Sequence, residues 1–114
     1  MSTHSSKPDA WLIRPSENPK AVAHVATRIR WIECGDRNDY ALVELVPPLD
    51  PIETGDADLL TLVVLAPRHS GFNLRADPTF PLDVYVTTLP ELLKDATVVP
   101  PDALKIRLWA TLIE

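Results

Sequence analysis

The sequence has one cysteine, no excess of basic residues and no long apolar run, and each shortage excludes a class of protein. A single cysteine, Cys34, cannot form a disulfide within the chain, which fits a reducing compartment such as the cytoplasm. The net charge of −5 argues against general affinity for nucleic acid or an anionic membrane, because both require excess lysine and arginine. The longest apolar run, residues 59–67, is broken only by Thr61 and is far too short to span a bilayer.

The start of the chain also lacks the continuous apolar segment of a secretory signal, so we expect none. The length of 114 residues suits one domain, and twelve prolines divide the chain into short elements. We assign residues 1–20 to an N-terminal tail and residues 21–114 to a single β-rich domain. The apolar group at residues 11–13 of the tail predicts that this part docks on the domain or on a partner.

Alternating apolar and polar residues at 22–34 predict a first strand with one wet face. Residues 35–39, GDRND, are typical of a turn, and residues 40–46 predict a second strand that Pro47 and Pro48 end. The short turn allows the two strands to pair as an antiparallel hairpin.

Three further strands are predicted at residues 59–66, 82–89 and 103–113. The first is apolar on both faces, which is typical of a strand buried on both sides. Pro90 opens a segment, residues 90–96, that favours one or two helical turns. The prediction is an all-β or β-dominated domain, a small antiparallel barrel or sandwich of five to six strands with at most one short helix.

The loop at residues 67–77 collects polar groups that could bind an anion. Arginine forks bind carboxylate or phosphate in bidentate fashion, and histidine can move a proton near neutral pH. No known catalytic or phosphate-binding motif surrounds Ser70, the serine of this loop. The alternative interpretation is a strand exit and a glycine turn with its polar groups in water. The candidate ligand-binding residues are Arg68, His69, Ser70 and Arg75.

Two other groups of residues contain side chains that can bind a metal or act in catalysis. Residues 47–58 form an acidic loop that could hold Ca²⁺ or Mg²⁺. The loop does not match the EF-hand pattern, so a solvated loop is favoured. Cys34 would need a nearby histidine to act as a nucleophile, and His24 lies too far along the same strand. We therefore expect no catalytic residue, no metal and no cofactor. The carboxylates of this loop are Asp50, Glu53, Asp56 and Asp58.

Basic residues on the wet faces of the first and last predicted strands form a stripe only if those strands are neighbours. Together with Trp109, such a stripe could bind single-stranded nucleic acid weakly. Basic residues at a sheet edge are also a common protection against aggregation. The residues are Arg28, Arg30, Lys105 and Arg107.

The sequence favours a small cytoplasmic protein–protein interaction or assembly module without catalysis, one that could associate with itself as a homodimer. A strand near a terminus often lies at a sheet edge, where its free backbone groups recruit another chain. The predicted interface residues are Trp11, Leu12 and Trp109. The alternatives are an anionic small-molecule site, enzymatic or not, at residues 67–77, and weak nucleic-acid binding. No membrane partner is expected.

Overall fold

The computed structural model describes residues 9–16, 20, 22–49, 59–69, 71–76 and 79–114. These residues form strands and two single turns of 3₁₀ helix, at Glu91–Leu93 and Pro101–Ala103. The strands are β1 (Ala10–Pro15), β2 (His24–Cys34), β3 (Arg37–Leu49), β4 (Leu60–Pro67), β5 (Leu82–Thr88), β6 (Val98–Val99) and β7 (Lys105–Leu112).

Six of the strands close into an antiparallel barrel. The order is β1-β7-β5-β4-β3-β2, and β1 pairs with β2 to close the cylinder. The short β6 adds to β2 in parallel, outside the six. This confirms the predicted β-dominated fold and selects a barrel over a sandwich.

The barrel interior is filled by the side chains that alternate inward along each strand. On β2 and β3, Ala26 lies opposite Leu45 and Trp31 opposite Ala41, and three of these four are fully buried. Such packing is typical of a small six-stranded barrel, whose interior is only wide enough for side chains. The largest buried side chains of this core are Trp11, Ile13, Leu45, Leu49, Leu65, Leu74, Leu82 and Leu112.

Residues 89–104, here called the β5–β7 arm, cover part of the outer barrel surface. The arm contains both 3₁₀ turns and β6. Its Val99 packs with three outward-facing apolar side chains, one each from β2, β3 and β4, to form a second buried cluster. The strand residues in this cluster are Ile32, Leu42 and Val64. Residues 90–96, predicted to form one or two helical turns, contain a single 3₁₀ turn, Glu91–Leu93, and belong to this outer cover.

Two features differ from the sequence expectations. Residues 10–15, assigned above to a tail, form β1 and complete the barrel, because their backbone pairs with β2 on one side and β7 on the other. The second predicted strand corresponds to β3, which does not end at Pro47 and Pro48 but continues to Leu49. The regular pairing of β3 with β4 is interrupted between Glu44 and Leu49, and both prolines lie in this interval. They are tolerated there because no hydrogen bond to β4 requires the N–H that proline lacks.

Within the described part of the chain, no helix has the length and apolar character needed to cross a bilayer.

Candidate binding surfaces

The predicted ligand loop, residues 67–76 where described, closes one end of the barrel. Leu74 inserts from this loop into the barrel core and is fully buried. Its backbone N–H donates to Asp39 Oδ2 at 2.9 Å. Arg37 donates to both oxygens of the same carboxylate, from Nε at 2.9 Å and from Nη2 at 2.8 Å. Arg37 also donates to the Phe72 carbonyl, so the β2–β3 turn and the loop are fastened together.

Asp39 was not among the predicted site residues, because aspartate within GDRND is typical of a turn. In the structure only Gly35 and Asp36 form the turn, and Gly35 has the positive φ of 63° that such a tight turn requires. Arg37 and Asp39 lie on β3, where residues two apart share a face. That spacing was the available signal for an intrastrand ion pair.

The pKa of Asp39 follows from this environment. Burial of the carboxyl favours its neutral form, but the hydrogen bonds from Arg37 and from the Leu74 N–H outweigh burial and place its pKa below the ordinary 3.8. The unfolded chain therefore takes up a proton here at a higher pH than the folded chain does. The ion pair contributes stability above about pH 4, and that contribution is lost as pH falls through the lowered pKa.

We therefore expect the free energy of unfolding to fall more steeply with acidification, below about pH 4.5, in the wild-type chain than in Asp39→Asn. Urea titrations at several pH values measure this difference. Parallel pH profiles for the two proteins would show that Asp39 carries no lowered pKa.

The structure separates the two arginines of the predicted ligand site. Arg75 stacks over the Trp31 ring, with its guanidinium carbon 5.4 Å from the ring centroid, and donates to the Asn38 carbonyl at 3.2 Å. Arg68 instead stacks over Trp109 of β7 at 3.7 Å. The two guanidinium groups therefore lie against different aromatic residues.

The other two predicted ligand residues add little to a shared site. His69 is exposed, with Nε2 at 4.0 Å from Asp83 Oδ2 and its ring in edge contact with Phe72. Ser70 lies outside the described residues, as do the carboxylates predicted at 50–58. Among the described residues, no group of three or more His, Cys, Asp or Glu side chains could hold a metal ion.

Arg68 lies at one end of an aromatic surface on the outside of β5 and β7. Trp109 is 42% exposed and meets Tyr85 edge-on, with ring centroids 6.0 Å apart. The Arg68 side chain stacks on Trp109, and within the described part of the chain it makes no hydrogen bond and no ion pair. Its N–H donors therefore remain available at the surface.

Next to Tyr85 an apolar groove of about 210 Å³ runs between the β5–β7 arm and the barrel wall. Burial raises the pKa of the Cys34 thiol in this groove, which keeps the thiol protonated and makes it a poor nucleophile. Thr87 Oγ1 already donates to the Val64 carbonyl at 3.0 Å. The groove is suited to hold an apolar group. Its lining residues are Cys34, Tyr40, Ala66, Tyr85, Thr87, Pro101, Leu104 and Ile106.

A second apolar surface, here called the aliphatic row, crosses the outer face of β1, β2 and β3. It consists of Leu12, Val25 and Val46, since Leu12 lies opposite Val25 and Val25 lies opposite Val46. Leu12 is half-buried, whereas Val25 and Val46 are 41% and 60% exposed. Directly opposite side chains have Cβ atoms about 5 Å apart, so the row is continuous.

The predicted interface residues fall in different places. Leu12 belongs to the aliphatic row and Trp109 to the aromatic surface, but Trp11 points into the barrel and is 2% exposed. Trp11 is therefore a core residue in this chain, not an exposed anchor, because alternation on β1 turns it inward when Leu12 faces outward.

The basic stripe required the first and last predicted strands to be neighbours. It does not form, because β1 lies between β2 and β7 in the barrel order. The arginines of β2 also have local partners. Arg28 pairs with Asp9 at 2.7 Å, and Arg30 donates to the carbonyls of Ala96 and Lys94 in the β5–β7 arm. On β7, Arg107 donates to Thr88 Oγ1 at 3.0 Å.

The terminal strand is also not a simple sheet edge. Along Ala110–Leu112, β7 pairs with β1 on one side and with β5 on the other. Along residues 105–108 its backbone pairs with β5 alone within the described residues, whereas the Trp109 carbonyl also accepts from the Ser16 N–H at 3.0 Å. Only the first half of β7 therefore keeps the edge character predicted from the sequence.

Comparisons of the chain with protein-family models, curated proteins and solved structures returned no match, so no relative informs its function.

Proposed function

We propose that this protein is a non-catalytic assembly module that pairs with a second copy of itself through the aliphatic row. The observation that carries the proposal is the register of Leu12, Val25 and Val46 across three neighbouring strands, with both valines exposed. Aliphatic side chains held side by side at a rigid surface lose unfavourable contact with water when another apolar surface covers them.

The surroundings of the row resemble the anatomy of a protein interface. The next outward-facing positions on β2 and β3 are Thr27 and Glu44, which lie opposite each other and are exposed. An apolar centre bounded by polar residues is typical of a specific interface. An open depression of about 270 Å³ beside Leu12 and Val25 could receive protruding side chains.

A second copy is the proposed partner because the row is uncharged and therefore complementary to itself. In a two-fold symmetric dimer the same patch from each copy meets, and such dimers are the commonest soluble oligomers. The net charge of −5 opposes association, so we place the contact on the aliphatic row itself, with Glu44 and Glu114 at its border. We further propose the cytoplasm as the location, where a lone thiol such as Cys34 stays reduced.

The proposal predicts a dimer that Val46→Glu dissociates. At ~100 μM chain, light scattering coupled to gel filtration should give twice the 12.7 kDa chain mass for the wild type. A carboxylate buried without a partner in the row should raise the dimer dissociation constant at least ~10-fold and shift Val46→Glu towards the monomer.

Val98→Glu is the matched control, because Val98 is a strand valine of similar exposure, 64%, on β6 and outside the row. It should remain dimeric. A wild-type chain that is monomeric at this concentration contradicts the proposal, as does a Val98→Glu chain that dissociates to the same extent as Val46→Glu.

A further inference from the structure

We infer that the outer face of β5 and β7 binds an extended acidic peptide, with a peptide carboxylate on Arg68 and an apolar side chain in the groove beside Tyr85. This surface is distinct from the aliphatic row. The inference depends on three features of the described residues that lie next to one another: an arginine fork, an apolar groove and a half-open strand.

The arginine fork is held in place before any ligand arrives. The guanidinium carbon of Arg68 lies 3.7 Å from the Trp109 ring centroid. The backbone N–H of Arg68 donates to the Asp83 carbonyl at 3.0 Å. Stacking occupies the face of the guanidinium and leaves its in-plane N–H donors free. A fork with free in-plane donors matches a carboxylate, which accepts two parallel hydrogen bonds.

The charge around Arg68 is also suited to an acidic ligand. No ion pair to Arg68 occurs among the described residues, although the chain as a whole is acidic. The nearest acidic residue in sequence on β5, Asp83, directs its carboxylate to the Thr111 hydroxyl at 3.4 Å and to His69 at 4.0 Å. A carboxylate from outside would therefore complete the pairing of Arg68.

The groove lies within reach of the fork. Tyr85 lines the groove and its ring is 6.0 Å from that of Trp109, on which Arg68 stacks. Arg68 is therefore at most about 10 Å from the Tyr85 ring, the length of about three extended residues. Side chains two positions apart on an extended peptide share one face and lie about 7 Å apart, so a peptide with an apolar residue and an acidic residue at that spacing satisfies both sites.

The backbone of β7 favours a peptide over a small anion. Ile106 lines the groove and belongs to residues 105–108, the part of β7 that pairs with β5 alone among the described residues. Trp109, which carries the fork, follows directly, and its carbonyl already accepts from the Ser16 N–H at 3.0 Å. A half-paired strand offers backbone groups to an added extended chain, the mode of recognition called β-augmentation. Main-chain pairing would supply affinity, and the fork and groove would supply specificity.

The experiment uses the full chain and two labelled peptides of about ten residues, amidated at the C-terminus. One carries a leucine and, two residues later, a glutamate on the same face of the extended chain; the other has glutamine in place of the glutamate. Fluorescence polarisation at ~50 mM salt should show at least ~10-fold tighter binding of the glutamate peptide. Arg68→Gln should remove this difference, and Ile106→Ser should weaken both peptides alike.

Arg75→Gln is the matched control, since Arg75 is in the same loop but stacks on Trp31 instead. It should preserve the difference between the peptides. Equal affinities for the two peptides on the wild-type protein overturn the proposal without any substitution. It is also overturned if Arg75→Gln acts like Arg68→Gln, or if acetate or a short oligothymidine displaces the peptide as effectively as unlabelled peptide does.

Discussion

Trp11→Ala is expected to lower the free energy of unfolding by about 3–5 kcal/mol, the cost of truncating a large core aromatic. Trp11 is 2% exposed, belongs to the barrel core and meets Trp31 edge-on with centroids 6.0 Å apart. Its removal takes away apolar contacts and leaves a cavity beneath β1, the strand that joins β2 to β7. Urea unfolding followed by circular dichroism measures the loss.

Trp11→Phe is the informative companion variant. The Trp11 Nε1–H is buried and has no acceptor among the described residues. Phenylalanine removes this unsatisfied donor while keeping most of the apolar volume, so the expected cost is below about 1.5 kcal/mol. If residues 1–20 were a tail outside the fold, both variants would stay within about 0.5 kcal/mol of wild type.

Asp39→Ala is expected to cost about 2–4 kcal/mol, because it leaves Arg37 and the Leu74 N–H without their common partner. The range lies below the 3–5 kcal/mol typical of breaking a fully buried pair, since the Arg37 side chain is 21% exposed and can turn to water. Leu74 would then lose the hydrogen bond that positions its loop over the barrel end.

Asp36→Ala is the control for this variant, as Asp36 is exposed in the adjoining two-residue turn. It should change the free energy of unfolding by less than about 0.5 kcal/mol. Hydrogen exchange at the Leu74 amide gives a local measurement: faster exchange in Asp39→Ala alone supports the fastening of the loop. Comparable losses in both variants would show that Asp39 has no special role.

Local patterns were sufficient where a strand has a clear alternation or a continuous apolar run. Residues 59–66, 82–89 and 103–113 were predicted as strands, and the structure has β4, β5 and β7 at these places within a few residues. These predictions succeed because the side-chain period of a strand appears directly in the sequence.

The β1 strand was missed for a physical reason. Its six residues, AWLIRP, follow a polar, proline-containing start and are too few to show a period convincingly. The strand is stable because both of its backbone edges are paired, with residues from opposite ends of the domain. Such pairing depends on long-range contacts that a local pattern does not contain.

The candidate sites were predicted only as residue types. Arg68 and Arg75 were grouped because they are close in sequence, but each stacks on a different tryptophan. The same loop was predicted to be a binding site or a solvated turn, and the insertion of Leu74 makes it a cover for the barrel core. Neither the groove nor the aliphatic row has a sequence motif, since their members come from several strands.

The sequence by itself determined that this chain is built from extended segments, and which side of most of them is apolar, because alternation along a strand is a local property. The order of the strands was decided only in the folded chain, where β1 between β2 and β7 separates the basic residues and aligns Leu12, Val25 and Val46. The reason is that strand neighbours are selected by packing and backbone pairing between distant segments, and these contacts exist only once the barrel has closed.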